Sequence, residues 1–208
     1  MFRRMSVAAL ALMLAVPLTL QGQTQLRVDR STNAADPDDV PNVTLEGMGS
    51  SFKVGTGPAA VVWDPSHTSD GEYNLKATFT LEEPSDHTNY YGLIFGGGEL
   101  GSSSQNYLYF LVAQNGSFIV KHRANDTTVH DIVGRTMHDA VTKPGDDGKS
   151  VNELEVRVGS DDLTFLVNGT VVHTQEHAGM ASRTNGIWGV RVNHRIPGLT
   201  VEGLGISH

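Results

Sequence analysis

The chain of 208 residues contains no cysteine. This excludes a disulfide framework, a thiolate zinc site, an iron–sulfur cluster and a cysteine nucleophile, so the core must be held together by packing alone. Basic residues are also few, with 15 lysines and arginines against 23 aspartates and glutamates. A net charge of -8 argues against nucleic acid or an anionic membrane as the main partner, because both require a basic face. The length fits one domain, or one domain with a tail.

Long apolar runs are absent except near the N-terminus. Two arginines precede an apolar stretch over residues 7–20, and polar residues follow from Gln21. The stretch is shorter than the roughly 18 apolar residues that a spanning helix requires, and it contains Pro17. The pattern predicts a secretory signal peptide over residues 1–22. Export without cysteine fits a bacterial route, so we expect a secreted or periplasmic protein with no stable membrane insertion after cleavage.

No helical period follows the predicted signal peptide. Residues 23–42 are polar and predict a linker or N-terminal arm, which leaves residues 43–208 as the folded domain. Short β-rich runs recur through this domain and predict an all-β antiparallel sandwich or barrel. The predicted strands are 51–54, 59–63, 73–81, 90–95, 107–113, 117–123, 127–133, 152–158, 163–167, 170–174, 186–193 and 199–206.

The hairpin over residues 107–123 can be paired from its turn. The Asn-Gly pair at residues 115–116 is typical of a type I′ turn, in which both central residues have positive φ. That turn would place Tyr109 opposite His122, and Tyr107, Tyr109 and His122 would share one face. Because apolar residues occur on both faces, the hairpin is predicted to lie centrally in a sheet.

A second hairpin, residues 163–174, repeats the Asn-Gly turn at residues 168–169. The strand before it alternates Leu154, Val156 and Val158 with charged residues. This alternation is typical of a half-buried strand with a charged outer face.

Four segments, residues 107–121, 152–173, 186–193 and 199–206, together resemble the late hairpins and closing strands of concanavalin A-like jelly rolls of the LamG and glucanase type. The resemblance extends over residues 43–208 and implies two curved antiparallel sheets with a concave face that often meets carbohydrate. Members range from lectin-like binders to glycoside hydrolases, including 3-keto-disaccharide hydrolases. Because a fold does not imply a function, this range of functions must be narrowed by the chemistry of individual residues.

Two familiar motifs lack the structural context that they need. His173 and His177 match H-x-x-E-H, but on a strand their imidazoles would lie about 13 Å apart, too far to share one zinc ion. Residues 96–101 spell G-x-G-x-x-G, but a strand follows where a dinucleotide site needs a helix. We expect no metal or nucleotide site at either motif.

No carboxylate pair is indicated as catalytic. Laminarinase-like glucanases of this fold carry a Glu-x-Asp-x-x-Glu strand, and the nearest match is Glu153 and Glu155. The middle Asp and the final Glu are missing, and Val158 stands where the last carboxylate belongs. These glutamates are therefore predicted to form a solvated outer face.

The remaining candidates favour binding. Sugars are held by aromatic platforms and planar polar groups, and Tyr107, Tyr109, His122, Arg191 and Asn193 supply both. These five residues are the predicted ligand-binding set. The alternative is that the tyrosines belong to the core and that Arg191 and Asn193 are ordinary surface residues.

The resemblance to this fold leaves a calcium ion as an alternative to having no cofactor. Asp36, Asp38 and Asp39, or the turn at Asp70 and Gly71, offer the hard oxygen ligands that Ca²⁺ prefers. No second anchoring segment is evident, so we predict no cofactor.

Three functions remain from the sequence. The leading hypothesis is a non-catalytic module that binds carbohydrate or mediates surface interaction. The second is a glycoside hydrolase acting on polysaccharide or disaccharides, including 3-keto forms, with an acid/base from non-adjacent strands. The third is a structural envelope protein that binds a protein partner through a sheet edge.

Overall fold

The computed structural model describes residues 23–30 and 42–208, so the predicted signal peptide and the aspartates 36, 38 and 39 lie outside the described residues. The strands within these ranges are β1 Gln25–Asp29, β2 Thr44–Met48, β3 Ser51–Thr56, β4 Ala59–Ser69, β5 Tyr73–Glu83, β6 Tyr90–Gly98, β7 Asn106–Ala113, β8 Ser117–Arg123, β9 Val129–Met137, β10 Ser150–Val158, β11 Asp162–Val167, β12 Thr170–Glu176, β13 Gly186–Asn193 and β14 Ile196–Ser207. One 3₁₀ turn, Gly179–Ser182, precedes β13.

The strands form two sheets of seven. Sheet A has the order β1-β4-β13-β6-β7-β8-β9, and sheet B has the order β12-β11-β10-β5-β14-β3-β2. Neighbouring strands are antiparallel in both sheets. The predicted all-β antiparallel sandwich is therefore confirmed. In the described part of the chain, no helix has the length and apolar character needed to cross a membrane.

The main core lies between the two sheets and is rich in aromatic rings. Phe110 of sheet A and Phe165 of sheet B meet edge to face with centroids 5.2 Å apart. Phe79 of sheet B and Tyr91 of sheet A lie 5.7 Å apart. All four side chains are fully buried. Such aromatic pairs bury large areas and add about 0.5–1.5 kcal/mol each beyond that burial, so they hold the sheets face to face.

The hairpin of β7 and β8 differs from its predicted register by one residue. Tyr109 lies opposite Lys121 and Leu108 lies opposite His122. Only Gly116 of the turn has positive φ, +88°, and its N–H donates to the carbonyl of Ala113 at 3.0 Å. A three-residue loop with one left-handed residue therefore replaces the predicted two-residue type I′ turn. The slip moves His122 to the opposite face from the tyrosines.

The second hairpin forms as predicted. Asn168 and Gly169 have φ of 51° and 76°, the two positive values that a type I′ turn requires. Val167 pairs with Thr170 across this turn. The hairpin joins β11 and β12 at the edge of sheet B.

Residues 23–42, predicted as a linker or arm, contain an edge strand of sheet A. β1 pairs with β4 over five residues, with Arg27 opposite Val61 and Asp29 opposite Ala59. The strand is too short and too polar to stand out in the sequence, and its pairing with β4 is what holds it. β1 brings Arg27 and Asp29 to the outer face of sheet A, next to the predicted site residues.

The two sheets have different outer faces. On β10 of sheet B, Glu153 pairs with Lys76 at 3.9 Å and Glu155 pairs with Arg157 at 2.7 Å. Sheet A instead carries a second apolar cluster on its outer face, named here the outer cluster. Its buried members are Val61, Trp63, Tyr90, Ile94, Leu100, Tyr107, Tyr109, Leu111, Ala113 and Ile119. Sheet B thus has the charged outer face predicted from its sequence, and sheet A does not.

Candidate functional site

Tyr107, Tyr109, Arg191 and Asn193 meet on the outer face of sheet A. β7 and β13 are separated in the sheet by β6, and alternate residues of each strand point outward. The Arg191 guanidinium carbon lies 5.9 Å from the Tyr107 ring centroid and 5.6 Å from that of Tyr109. One guanidinium nitrogen donates to the Tyr107 hydroxyl at 2.6 Å, and another donates to the Asn193 side-chain oxygen at 3.0 Å. Four of the five predicted site residues are therefore brought together.

Arg191 is 2% exposed, so its charge needs a partner. Asp29 of β1 provides one, with a carboxylate oxygen 3.5 Å from the guanidinium. Burial by itself would lower the pKa of Arg191, but Tyr107, Tyr109 and Asp29 outweigh it and raise that pKa above its usual value. Arg191 therefore remains a cation inside the site.

Asp29 is ionised because positive charges surround it. Burial by itself would raise its pKa, but the hydrogen bond from Arg27 and the charges of Arg191, Arg27 and Arg123 hold the pKa below its usual value. A general acid needs a raised pKa. Asp29 is thus suited to hold charge and not to donate a proton.

The loop between β6 and β7 is tied to β1 over this end of the face. Arg27 donates to the carbonyl oxygens of Leu100 and Ser102 at 3.4 and 2.6 Å, and to the Asp126 carboxylate at 2.7 Å. Gln105 also donates to Asp126, at 2.7 Å. These contacts link the edge strand β1 to the turn between β8 and β9.

A separate polar group lies toward the β8–β9 side of the same face. The Tyr90 hydroxyl hydrogen-bonds with the Ser117 hydroxyl at 2.8 Å, and Arg135 donates to the Tyr90 oxygen at 3.0 Å. Lys121 and Asp131 form an ion pair at 2.9 Å nearby on β8 and β9. Polar side chains, of which Asp131 and Arg135 are exposed, therefore border the buried aromatic rings.

His122 does not join the tyrosines, and the prediction that they share one face is wrong. One ring nitrogen lies 3.3 Å from the Asn106 side-chain oxygen, and the ring stacks on His130 at 6.0 Å. Burial, together with the charges of Arg183 and His130, lowers its pKa. The cause of the error is the one-residue register shift at Gly116.

The other motif residues take ordinary structural roles. His177 is hydrogen-bonded through one nitrogen to the carbonyl of Gly159 at 2.7 Å and through the other to Thr184 at 3.2 Å, whereas His173 packs on Phe165. Over residues 23–30 and 42–208 no group of three or more His, Asp or Glu side chains could hold a metal ion.

Sequence reasoning missed Arg27, Asp29, Gln105 and Asp126. Asp29 and Arg191 are 162 residues apart, and no local pattern connects them. The only available signal was the alternation in Gln25–Asp29, where Arg27 and Asp29 share a face. That alternation spans five residues, too few to indicate a strand with confidence from composition alone.

The fold can be compared with solved structures. The chain is similar to the carbohydrate-binding module CBM66 from Bacillus subtilis, with a TM-score of 0.58, 8% identity, and coverage of 80% of this chain and 92% of that one. The fold is a concanavalin A-like, galectin-type β-sandwich.

Two further likenesses agree on this sandwich. A Bacillus subtilis protein of unknown function with a galectin-like fold matches with a TM-score of 0.54 and 13% identity, over 88% of this chain and 94% of that one. The carbohydrate recognition domain of Emp46p matches with a TM-score of 0.51 and 12% identity, over 87% and 88%. No family model and no curated protein matches the sequence. At these identities the likeness concerns the fold.

Proposed function

We propose that this chain is an exported, non-catalytic carbohydrate-binding module whose binding surface is the outer face of sheet A. The observation that carries the proposal is the contrast between the two outer faces. The outer face of sheet A holds buried aromatic rings around Arg191 and Asn193, and the polar side chains of Lys121 and Arg135 border them, whereas the outer face of sheet B presents paired surface charges. Ligand sites combine apolar and aromatic side chains with a few precisely placed polar groups, and on this face the polar groups are the ones that sugar hydroxyls can reach.

The likeness to the solved structures supports the same proposal. CBM66 is described as a carbohydrate-binding module, and the Emp46p domain as a carbohydrate recognition domain. Catalysis is not supported, because the Glu153 and Glu155 carboxylates lie on the other sheet in ion pairs. Export is supported by the signal-like pattern of residues 1–22.

The experiment compares one lysine on each outer face. Lys121 lies on sheet A in an ion pair with Asp131, and Lys76 lies on sheet B in an ion pair with Glu153. Residues 23–208 are screened on an array of neutral and acidic glycans, and each hit is measured by titration. We expect Lys121→Glu to weaken binding by about tenfold, as loss of a contact worth about 1.4 kcal/mol would do.

Lys76→Glu is the matched control and is expected to bind as the unaltered chain does. Equal weakening of binding by both variants would contradict the proposal that the binding surface is the outer face of sheet A. An array with no hit, for a chain that unfolds cooperatively, would overturn the proposal in favour of a protein partner.

A further inference from the structure

The network around Arg191 contains buried polar atoms that no part of the described chain satisfies. We name as the arginine cluster the residues Arg27, Asp29, Gln105, Arg123, Asp126 and Arg191. Two guanidinium Nε–H groups, those of Arg123 and Arg191, and the side-chain oxygen of Gln105 are buried without a hydrogen-bond partner. Buried polar groups are nearly always paired, so three such atoms in one cluster indicate a missing water, ion or ligand.

The cluster is continuous. Arg123 donates to the backbone carbonyls of Asn125 and Asp126 at 3.3 and 3.1 Å. The Asp126 carboxylate accepts from Arg27 and Gln105, each at 2.7 Å. Gln105 and Arg191 both approach the Asp29 carboxylate at 3.5 Å. A group bound in this network would therefore change the hydrogen bonds or the electrostatic environment of all six residues.

The orientation of the Gln105 amide follows from its neighbours. Its nitrogen faces the carboxylates of Asp126 and Asp29, and a flipped amide would place oxygen against two negative groups. The unpaired atom is therefore the oxygen, an acceptor that needs a donor. A bound group would therefore need two acceptors, for the Nε–H groups of Arg123 and Arg191, and one donor, for the Gln105 oxygen.

The charges of the cluster do not balance. Three guanidinium groups face two carboxylates, which leaves one positive charge in excess. The neighbouring Lys121 and Asp131 neutralise each other at 2.9 Å. A buried charge without a counterion is costly, and a water molecule would satisfy hydrogen bonds without supplying the missing negative charge.

A ligand group with one negative charge, acceptor oxygens and an adjacent hydroxyl meets all of these requirements. We propose that the arginine cluster is the subsite for the carboxylate of a uronic-acid residue, with a neighbouring sugar hydroxyl donating to Gln105. Guanidinium groups bind carboxylates through short, charge-assisted hydrogen bonds. The network reaches the surface at Asp126, whose side chain is 39% exposed. This inference rests on the proposed function and specifies the ligand class.

The test uses polysaccharide pairs that differ in the carboxylate alone. Residues 23–208 are run in native affinity gels that contain polygalacturonate, alginate or a glucuronan, or the carboxyl-reduced polymer of each. We expect retardation by at least one polyuronate and none by its reduced form. Non-specific attraction would not explain this, because residues 23–208 carry 13 basic against 23 acidic side chains.

The matched variants are Arg123→Gln and Arg157→Gln. Arg123→Gln removes the excess charge at a partly exposed position, and Arg157→Gln makes the same change on the outer face of sheet B. We expect affinity for the polyuronate to fall by about tenfold or more in Arg123→Gln and to stay unchanged in Arg157→Gln.

Three results would overturn the inference, and they separate it from the proposed function. Equal retardation by polyuronates and reduced polymers would leave carbohydrate binding in place and remove the carboxylate subsite. Equal thermal stabilisation by sodium glucuronate and sodium acetate would show a site for small anions only. No retardation by any polysaccharide would overturn both proposals together.

Discussion

His122 is a buried imidazole beside two sources of positive charge. It is 3% exposed and lies next to His130, and Arg183 adds to the field that disfavours its protonation. Its pKa in the folded protein is therefore below the ordinary value of 6.5. In the unfolded chain the same group binds a proton near that ordinary value. The unfolded state thus binds more protons as pH falls, and stability is lost on acidification through this range.

We expect the urea midpoint of residues 23–208 to fall when pH is lowered from about 7.5 to about 5.5, on either side of the ordinary imidazole pKa. His122→Gln should reduce that fall, because the replacement has no proton to bind. His87→Gln changes an exposed histidine and serves as the control. An identical pH dependence in His122→Gln and the unaltered chain would contradict the assignment to His122.

Tyr107 and Tyr109 have the residue type expected of a sugar-binding platform, but the structure gives them a different role. Both were candidates for an aromatic platform, but their rings lie 5.8 Å apart with the Arg191 guanidinium near both. Their side chains are buried, so they support Arg191 and present little ring surface for stacking. Polar groups of the same face, the partly exposed Lys121 and the exposed Arg135, offer its accessible contacts.

At the scale of elements, the β7–β8 turn decides which side chains reach the outer face. Gly116 has φ +88°, which an L-residue adopts only with strain. A Cβ built there would also lie 2.5 Å from the Cε atom of Lys143, at the flexible end of that side chain. The loop with one left-handed residue, and not the Asn-Gly pair alone, therefore sets the register of the hairpin.

Gly116→Ala is expected to destabilise the fold by about 1 kcal/mol, the usual cost of a side chain in left-handed backbone. Gly134→Ala is the control, since that glycine of β9 has no positive φ and nothing within 4 Å of a built Cβ. The control should stay within about 0.5 kcal/mol of the unaltered chain. Denaturant unfolding measures both, and equal stability of the two variants would contradict the turn assignment.

The edge strand β1 is the second element that shapes the candidate site. It is short and half exposed, yet Arg27 and Asp29 supply the contacts that join the β6–β7 loop to Arg191. Edge strands are usually protected by charge or brevity, and β1 has both. The same two charges that protect the edge also complete the arginine cluster.

At the scale of the whole molecule, the two apolar clusters share sheet A. Trp188 lies in the core between the sheets, stacked on His67 at 4.2 Å, and Trp63 lies in the outer cluster. The strands that carry them, β13 and β4, are neighbours in sheet A. Both clusters should therefore unfold as one unit, as expected for a small single domain.

The single-tryptophan variants Trp63→Phe and Trp188→Phe test this coupling. In each variant, we expect the fluorescence of the remaining tryptophan and the far-UV circular dichroism to give one denaturant midpoint. Trp63 fluorescence that changes at lower denaturant than the dichroism would show that the outer cluster opens by itself. In that case the proposed binding face would be a separately mobile layer.

The sequence by itself determined the fold class. Alternation in β10 and the Asn-Gly turn at Asn168 are local patterns, and each reports directly on the backbone that forms there. The charged outer face of sheet B followed from the same alternation. Tyr107, Tyr109, Arg191 and Asn193 could also be nominated, because residue type and strand side are local properties.

Only the tertiary structure decided how those residues are used. The register of β7 and β8 depends on the backbone conformation at Gly116, which the Asn-Gly sequence does not specify. This register places His122 on the opposite face from Tyr107 and Tyr109. The partnership of Asp29 with Arg191 depended on β1 pairing with β4 across a long stretch of chain. Contacts of this kind arise from sheet order and burial, which join residues that carry no shared local pattern, so the sequence alone could not reveal the arginine cluster.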